Sequence, residues 1–127
     1  MRHILIILSI LLLSSPVIGQ ETGVLYRYKT SSGIKWKTFG NEKVQPKYKG
    51  EITNGKPNGF GFQTYKNGNK YLGEHKNGLP NGQGKSIYPD GSMYLGEYKD
   101  GKPWNVKGYD KEGNIIEKWV NGKMIKQ

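Results

Sequence analysis

Tyr48-Lys49-Gly50-Glu51 returns twice in this chain, as Tyr71-Leu72-Gly73-Glu74 and as Tyr94-Leu95-Gly96-Glu97. Each copy begins 23 residues after the previous one. Self-similarity at a fixed period of about 20 to 50 residues is typical of arrays in which small supersecondary units stack on their neighbours. The sequence therefore predicts about three such units, beginning at residue 47.

Turn signals divide each copy into two short strands. One signal spans residues 54–59 or 77–82, and the other is Asn67-Gly68 or Asp90-Gly91. Asn-Gly and Asp-Gly supply the positive φ angles that tight hairpin turns require. A strand of about six residues is predicted to start at each Tyr, and its partner to end at Tyr65 or Tyr88. Because no segment has helical periodicity, the predicted fold class is all-β, an antiparallel meander of repeated β-hairpins.

The parity of side chains along a strand predicts how tyrosines and glycines meet. Alternate residues point to the same side, which places Tyr48 with Gly50, and places Gly59 and Gly61 with Tyr65. Aromatic rings can then cover the gaps that glycines leave in neighbouring strands. We therefore assign a structural role in the repeat to Gly50, Glu51, Gly59, Gly61, Gly73, Glu74, Gly82, Gly84, Gly96 and Glu97.

From Tyr48 onward the chain resembles the MORN repeat family (membrane occupation and recognition nexus). The family pattern is roughly Tyr-x-Gly-Glu, then Gly, Gly-x-Gly and Asp/Asn-Gly before the next Tyr. The first two copies follow this pattern throughout, whereas the third has Asn105 and Lys107 where the others have Gly. The resemblance implies a scaffold or attachment module, often associated with membranes and phospholipids or with protein assembly. It implies enzymatic activity only where the repeats are fused to a catalytic domain.

The opposite side of the predicted sheet carries Glu51, Glu74 and Glu97, one in each copy. Equivalent residues two strands apart lie about 9 to 10 Å from each other, similar to the separation of acid and base in glycosidases. Acid and base roles require carboxyls in different environments, whereas a repeat gives each Glu the same surroundings. We therefore predict structural or ion-paired carboxylates, with cross-strand lysines such as Lys76 and Lys99 available on the same face, and no catalytic residue.

No cofactor or metal site is predicted either. Residues 78–86 read GLPNGQGKS, which puts five residues between the outer Gly and Gly-Lys-Ser where a phosphate-binding loop needs four. The chain has no Cys, and beyond residue 19 its single His is His75, which we expect to be exposed beside Glu74. These residues cannot assemble a metal cluster or a catalytic triad.

The first 19 residues have the pattern of a secretory signal peptide. Arg2 and His3 precede an apolar run over residues 4–13, and small or aliphatic residues lie at the −3 and −1 positions of a cleavage site after Gly19. The apolar run is too short to span a bilayer. Residues 1–19 are therefore predicted to export the chain as a secreted or periplasmic protein, peripheral at a membrane. A retained N-terminal anchor is the alternative.

Two atypical segments flank the repeats. Residues 20–46 alternate apolar and polar side chains on both sides of Gly33, which predicts a degenerate hairpin followed by a loop. Residues 47–127 form the repeat domain, and its last part gathers large apolar residues where the glycines are lost. Such bulk is expected of a cap that closes a sheet edge, and an anchoring patch around Trp104 and Trp119 is the alternative.

The chain is strongly basic, with 20 Lys and Arg against 10 Asp and Glu. Loss of Arg2 with the signal peptide leaves 19 basic groups and a net charge of +9. A charge this far from zero attracts anionic surfaces, although it also serves solubility. Since Arg27 is then the one remaining Arg, the chain lacks the bidentate donors that read bases, and nucleic acid is not expected as a partner.

These observations predict a non-catalytic exported binding or scaffold module that attaches through its repeat sheet to a protein partner, an anionic phospholipid surface or both. Contact is expected from the exposed members of an aromatic set, which comprises Tyr48, Tyr65, Tyr71, Tyr88, Tyr94, Trp104 and Trp119. One alternative is a structural array that self-associates through its sheet edges or its Trp patch. Another is an antitoxin-like protein, since similar repeats occur in bacterial proteins regarded as antitoxins. The oligomeric state is left open.

Overall fold

The computed structural model describes residues 20–126, and every regular element in that range is a β-strand. The strands are β1 (Gln20–Thr30), β2 (Gly33–Lys37), β3 (Lys47–Thr53), β4 (Lys56–Thr64), β5 (Lys70–Lys76), β6 (Leu79–Ile87), β7 (Met93–Lys99), β8 (Lys102–Tyr109), β9 (Ile115–Val120) and β10 (Lys123–Lys126). Together they form a single 10-stranded antiparallel sheet, which confirms the predicted all-β class and hairpin array. No helix between residues 20 and 126 is long and apolar enough to cross a membrane. The predicted signal peptide, residues 1–19, lies outside the described residues.

Two-residue turns with positive φ close the hairpins of the repeats. Asn54 and Gly55 have φ angles of 53° and 74°, and the same turn recurs at Asn77-Gly78 and Asp100-Gly101. Such turns match the twist of antiparallel strands, so the partner strand can start at once. The six-residue turns predicted at 54–59 and 77–82 are therefore wrong, because β4 begins at Lys56 and β6 at Leu79.

β-Bulges contain the last residues of the segments that were predicted to form six-residue turns. Gly50 faces Gly61 and Ile52 faces Pro57, so three residues of β4 lie opposite Glu51 alone. The next repeat has the same arrangement between β5 and β6. Proline is tolerated next to a bulge because the regular hydrogen-bond ladder is interrupted there. The Gly-rich segment after each turn is thus part of a bulged strand.

A fourth hairpin, which the repeat pattern does not reveal, follows the three repeats. Asn121-Gly122 joins β9 to β10 with φ angles of 49° and 85°, close to those of the repeat turns. No Tyr-x-Gly-Glu phrase accompanies this turn. Val106 and Trp119 pack into a core cluster, as a cap requires. The side chains of β10 are exposed, so this strand forms an open edge of the sheet.

The strand order departs from a simple meander at the N-terminal hairpin. β1 pairs with both β2 and β3, which gives the order β3-β1-β2 at this edge. Tyr26 is where the two pairings overlap, because it faces Lys37 of β2 and Lys47 of β3. The loop 38–46 therefore crosses β1 at Tyr26. Gly40 permits the close crossing, since a Cβ at this position would lie 2.6 Å from Tyr26 Cγ.

Aromatic side chains on one side of the sheet form the core, and we call this side the tyrosine face. Burial without a second layer requires the sheet to coil, which brings Trp36 from the edge strand β2 against Gly78 in the turn after β5. The buried apolar and aromatic residues are Leu25, Tyr48, Ile52, Tyr71, Tyr98 and Val106.

Candidate functional site

Each of the first two repeats is built around a tyrosine that lies over glycine. The Tyr48 ring covers Gly61, where an added Cβ would overlap the ring, and its hydroxyl donates to Glu51 O at 2.7 Å. Tyr71 covers Gly84 in the same way and donates to the carbonyl of Glu74 at 3.0 Å. This is the aromatic-on-glycine packing that side-chain parity predicts. It makes the repeated tyrosines packing residues in this structure.

In each of the first two repeats, the glutamate of the Tyr-x-Gly-Glu motif stabilises the adjacent bulge. Glu51 Oε1 accepts a hydrogen bond from Phe60 N at 2.7 Å, and Glu74 Oε1 accepts one from Gln83 N at 2.8 Å. A bulge leaves backbone amides outside the regular ladder, and a carboxylate is a strong acceptor for them. Gly82 lies in the second bulge with a φ of 106°, and a Cβ there would overlap the Glu74 carboxylate. The bulge therefore requires both the Glu and the Gly.

Of the structural and ion-paired roles predicted for these glutamates, ion pairing is absent from the described residues. Glu97 instead accepts a hydrogen bond from Asn105 Nδ2 at 3.1 Å. Lys99 lies over the ring of Trp104, with Nζ 4.3 Å from its centroid, a cation–π contact that occupies the lysine. Between residues 20 and 126, no group of three His, Asp or Glu side chains could hold a metal ion. Glu51 and Glu74 thus brace the backbone of their bulges, whereas Glu97 is held by a side-chain amide.

The third repeat keeps the packing unit but moves the register by one residue. Val106 rather than Lys107 faces Gly96, and the Tyr94 ring covers Gly108. A one-residue shift turns every following side chain to the other face of a strand. The shift therefore keeps Lys107 exposed and puts Val106 in the core, which explains how this copy accommodates the loss of two glycines.

Buried aromatic rings run across the tyrosine face. His75 lies between Tyr48 and Tyr71, with ring centroids 4.8 and 5.1 Å away, and Tyr71 meets Tyr98 at 5.1 Å, all edge to face. Burial raises the pKa of Tyr48 and of Tyr98 to about 12. Tyr48 is 0% exposed and Tyr71 is buried beside it. Tyr48 and Tyr71 are therefore not among the exposed members of the aromatic set from which contact with a partner is expected.

His75 is 4% exposed, so the expectation of an exposed histidine is wrong. It follows Gly73 by two residues, and this parity turns its ring into the tyrosine face although its neighbour Glu74 points outward. Its Nδ1 lies 3.1 Å from Gly73 O, and Nε2 is buried without a hydrogen-bond partner among the described residues. Burial lowers the pKa of His75 to about 4. The ring is therefore neutral at physiological pH.

The remaining members of the predicted contact set, apart from Trp104, meet in a groove on the tyrosine face. Tyr65, Tyr88, Tyr94 and Trp119 line this groove, whose volume is about 340 Å³. Glu117 also lines it, and its Oε1 accepts a hydrogen bond from Trp119 Nε1 at 3.3 Å. Trp104 lies outside the groove, beside Lys99 and Gly122. The groove therefore offers accessible aromatic surface to a partner on the tyrosine face.

The other side of the sheet carries lysines in register with apolar residues, and we call it the lysine face. Directly opposed residues form one row across nine strands, consisting of Val24, Lys49, Phe62, Leu72, Lys85, Leu95, Lys107, Lys118 and Ile125. A second row beside it consists of Lys47, Thr64, Lys70, Ile87, Met93 and Tyr109. Every side chain in the two rows is exposed or half-buried.

Neither of these two rows contains a carboxylate. Lys47 of the second row pairs with a loop carboxylate, Glu42, whose Oε1 lies 3.7 Å from Lys47 Nζ. On the strands of this face, the nearest carboxylates are Glu51, Glu74 and Glu97, which lie in the adjacent row and accept the hydrogen bonds described above. Apart from Thr64, each strand contributes a Lys, an apolar or an aromatic residue at these positions. The pattern is visible only when the strand registers are known, so reading one strand at a time misses it. Alternating Lys and apolar side chains give an amphipathic surface, because lysine stems lie along apolar groups while the ammonium remains in water.

The MORN repeat family model matches residues 48–70 and 71–93, the two copies with the regular register. The match ends where the register moves by one residue. No curated protein matches the chain.

Proposed function

Since this chain contains two adjacent MORN repeats in an open sheet, we propose that it is a non-catalytic binding module that attaches to an anionic membrane surface through its lysine face. The observation that carries the proposal is the register of that face, which places six lysines and eight apolar or aromatic side chains in two rows without a carboxylate. Interfacial surfaces combine apolar groups that enter the headgroup region with lysines that meet anionic lipids. Each Lys near such a surface contributes about 1 kcal/mol.

The chemistry of the core supports the choice of this face. The tyrosine face consists largely of buried packing residues, whereas on the lysine face Leu95 is 43% exposed and Phe62 and Leu72 are half-buried. No second layer covers these residues within the described chain, and contiguous exposed apolar surface marks interaction sites. The proposal includes export by residues 1–19, which would place the membrane contact on the outer side. Mass spectrometry of the processed chain, with Gln20 expected at its start, checks that step.

Flotation with lipid vesicles tests the lysine face. Full-length protein carrying Lys85→Gln and Lys107→Gln is expected to bind anionic vesicles about 30-fold more weakly, because two contributions of about 1 kcal/mol are lost. Neutral vesicles should bind little of either protein. The measurement compares vesicles of phosphatidylcholine with and without phosphatidylserine, at physiological salt. Both proteins retain the apolar residues 4–13, so a difference in their vesicle binding is due to the two substituted lysines of the lysine face.

The matched control replaces two exposed loop lysines, Lys43→Gln and Lys111→Gln, which changes the net charge equally. Its affinity should fall by less than about threefold, since neither lysine belongs to either row of the lysine face. Equal losses in the two double variants would contradict the proposal, because net charge alone would then explain attachment. Failure of the unmodified protein to float with anionic vesicles would contradict it as well.

The groove on the tyrosine face favours a second function, attachment of a protein partner. Four of the aromatic residues that line it, Tyr65, Tyr88, Tyr94 and Trp119, retain exposed surface and belong to the types that dominate binding hot spots. A partner that uses this groove should lose affinity on Trp119→Ala and keep it on Lys85→Gln. The two variants therefore separate the two functions.

A further inference from the structure

Arg27 has a buried donor that nothing in the described chain satisfies. It is the single Arg between residues 20 and 126, in a protein that otherwise uses Lys for positive charge. Its guanidinium lies over the Tyr65 ring, with Cζ 5.7 Å from the centroid, and its Nε is buried without a hydrogen-bond partner. Because buried donors are nearly always satisfied, this one marks Arg27 as a residue whose role the described contacts do not explain.

A pocket adjoins this side chain at the end of the sheet where the loop 38–46 joins β3. Its volume is about 400 Å³, within the usual range for small-molecule sites. The lining residues are Arg27, Tyr28, Lys29, Val44, Gln45, Pro46, Tyr65, Lys66 and Asn67. Three of these are cationic and none is acidic. A charged ligand of this pocket must therefore be an anion.

The side-chain amides of Gln45 and Asn67 in this pocket are also available as hydrogen-bond donors. Gln45 Oε1 accepts a hydrogen bond from Asn41 N at 2.9 Å, and Asn67 Oδ1 accepts one from Asn69 N at 3.0 Å. Each side-chain amide has therefore committed its oxygen to the backbone and keeps its NH₂ group for another partner. The side chains thus supply guanidinium, ammonium and amide donors to one cavity.

We propose that this pocket binds a phosphate group carried by a small molecule or by a lipid headgroup. A phosphate monoester carries nearly two negative charges and several acceptor oxygens, which matches three cations and two amide donors. The planar guanidinium donates two parallel hydrogen bonds to such a group, and this geometry is specific to Arg. The Tyr65 ring supports the guanidinium from behind and limits its freedom.

The site does not depend on the proposed membrane function. Its charged residues, Arg27, Lys29 and Lys66, lie outside both rows of the lysine face. Either proposal can therefore fail while the other holds.

Calorimetric titration of the full-length protein tests the site with inorganic phosphate and with glycerol 3-phosphate as probes. We expect saturable binding at one site. Arg27→Lys should weaken phosphate binding by about tenfold, because lysine keeps the positive charge but cannot donate the two parallel hydrogen bonds of the planar guanidinium. Lys66→Gln, at an exposed position, should weaken it by a similar factor, and the matched control Lys111→Gln should leave it unchanged.

Two results would overturn the proposal. One is the absence of saturable binding to both probes. The other is unchanged binding of the phosphate probes in Lys66→Gln. This measurement tests the proposal even if Arg27→Lys does not fold. Vesicles containing phosphatidic acid identify the source of the phosphate. Binding that is lost in Lys66→Gln and kept in the Lys85→Gln, Lys107→Gln variant assigns the lipid headgroup, and tight binding of the soluble probes alone assigns a free phosphomonoester.

Discussion

Gly84→Ala should destabilise the protein by about 3 kcal/mol, the upper end of the usual cost of overpacking a core. The added Cβ would overlap the Tyr71 ring and hydroxyl. Movement of the ring away from Gly84 is blocked by His75 and Tyr98, whose centroids lie 5.1 Å from that of Tyr71. The free energy of unfolding in urea, followed by tryptophan fluorescence, measures the effect.

Gly113→Ala is the matched control, since a Cβ at Gly113 meets no atom within 4 Å. Its φ of 92° still penalises a side chain, so a loss of about 1 kcal/mol is expected there. The double variant Gly84→Ala, Tyr71→Leu should lose at least about 1 kcal/mol less than the sum of its two single variants, because the smaller side chain makes room for the methyl group. Strict additivity would show that the ring is not what excludes a side chain at Gly84.

Acid should destabilise the folded protein through His75, with a loss of about 2.5 kcal/mol between pH 7 and about pH 4.5. The folded-state pKa of His75 is about 4, below the ordinary 6.5, because burial disfavours the imidazolium. The unfolded chain therefore binds a proton that the folded chain excludes. Full stability is present above pH 6.5 and is lost as the pH falls toward the folded pKa. Urea unfolding at several pH values measures this slope.

His75→Leu is expected to remove this dependence over the same pH interval. The rings that face His75, Tyr48 and Tyr71, are neutral throughout it, and burial raises the pKa of both. Hydrogen bonds from Ser92 lower the pKa of Asp90, so its contribution is lost only below about pH 3.8. An unchanged slope in His75→Leu would mean that another group, and not this histidine, carries the acid sensitivity.

The repeats predicted the local structure well because turn and packing chemistry act over a few residues. Asn54-Gly55 and its equivalents adopt the positive φ angles that their composition indicates, and Tyr71 lies over Gly84 as parity requires. The six-residue turns were wrong because a Gly-rich segment is compatible with both a loop and a bulge. The bulge prevails because a glutamate on the facing strand accepts its amide hydrogen bond.

The longer-range features depend on the pairing register between strands, and the sequence of a single repeat does not specify that register. The burial of His75 arises because Tyr48, two strands away, reaches it across a coiled sheet. The crossing of loop 38–46 over Tyr26 depends on β1 pairing with two partners at once. The lysine face likewise depends on eight consecutive registers, any of which could have placed a glutamate opposite a lysine.

A pair of single-cysteine labels most directly tests which face of the sheet meets a membrane. The sequence contains no Cys, so Leu95→Cys on the lysine face and Tyr88→Cys in the groove each carry one label, at positions that are 43% and 36% exposed. With an environment-sensitive fluorophore and anionic vesicles, the emission at position 95 should shift to shorter wavelength and that at position 88 should not. A shift at position 88 without one at position 95 would contradict the account and assign membrane contact to the tyrosine face.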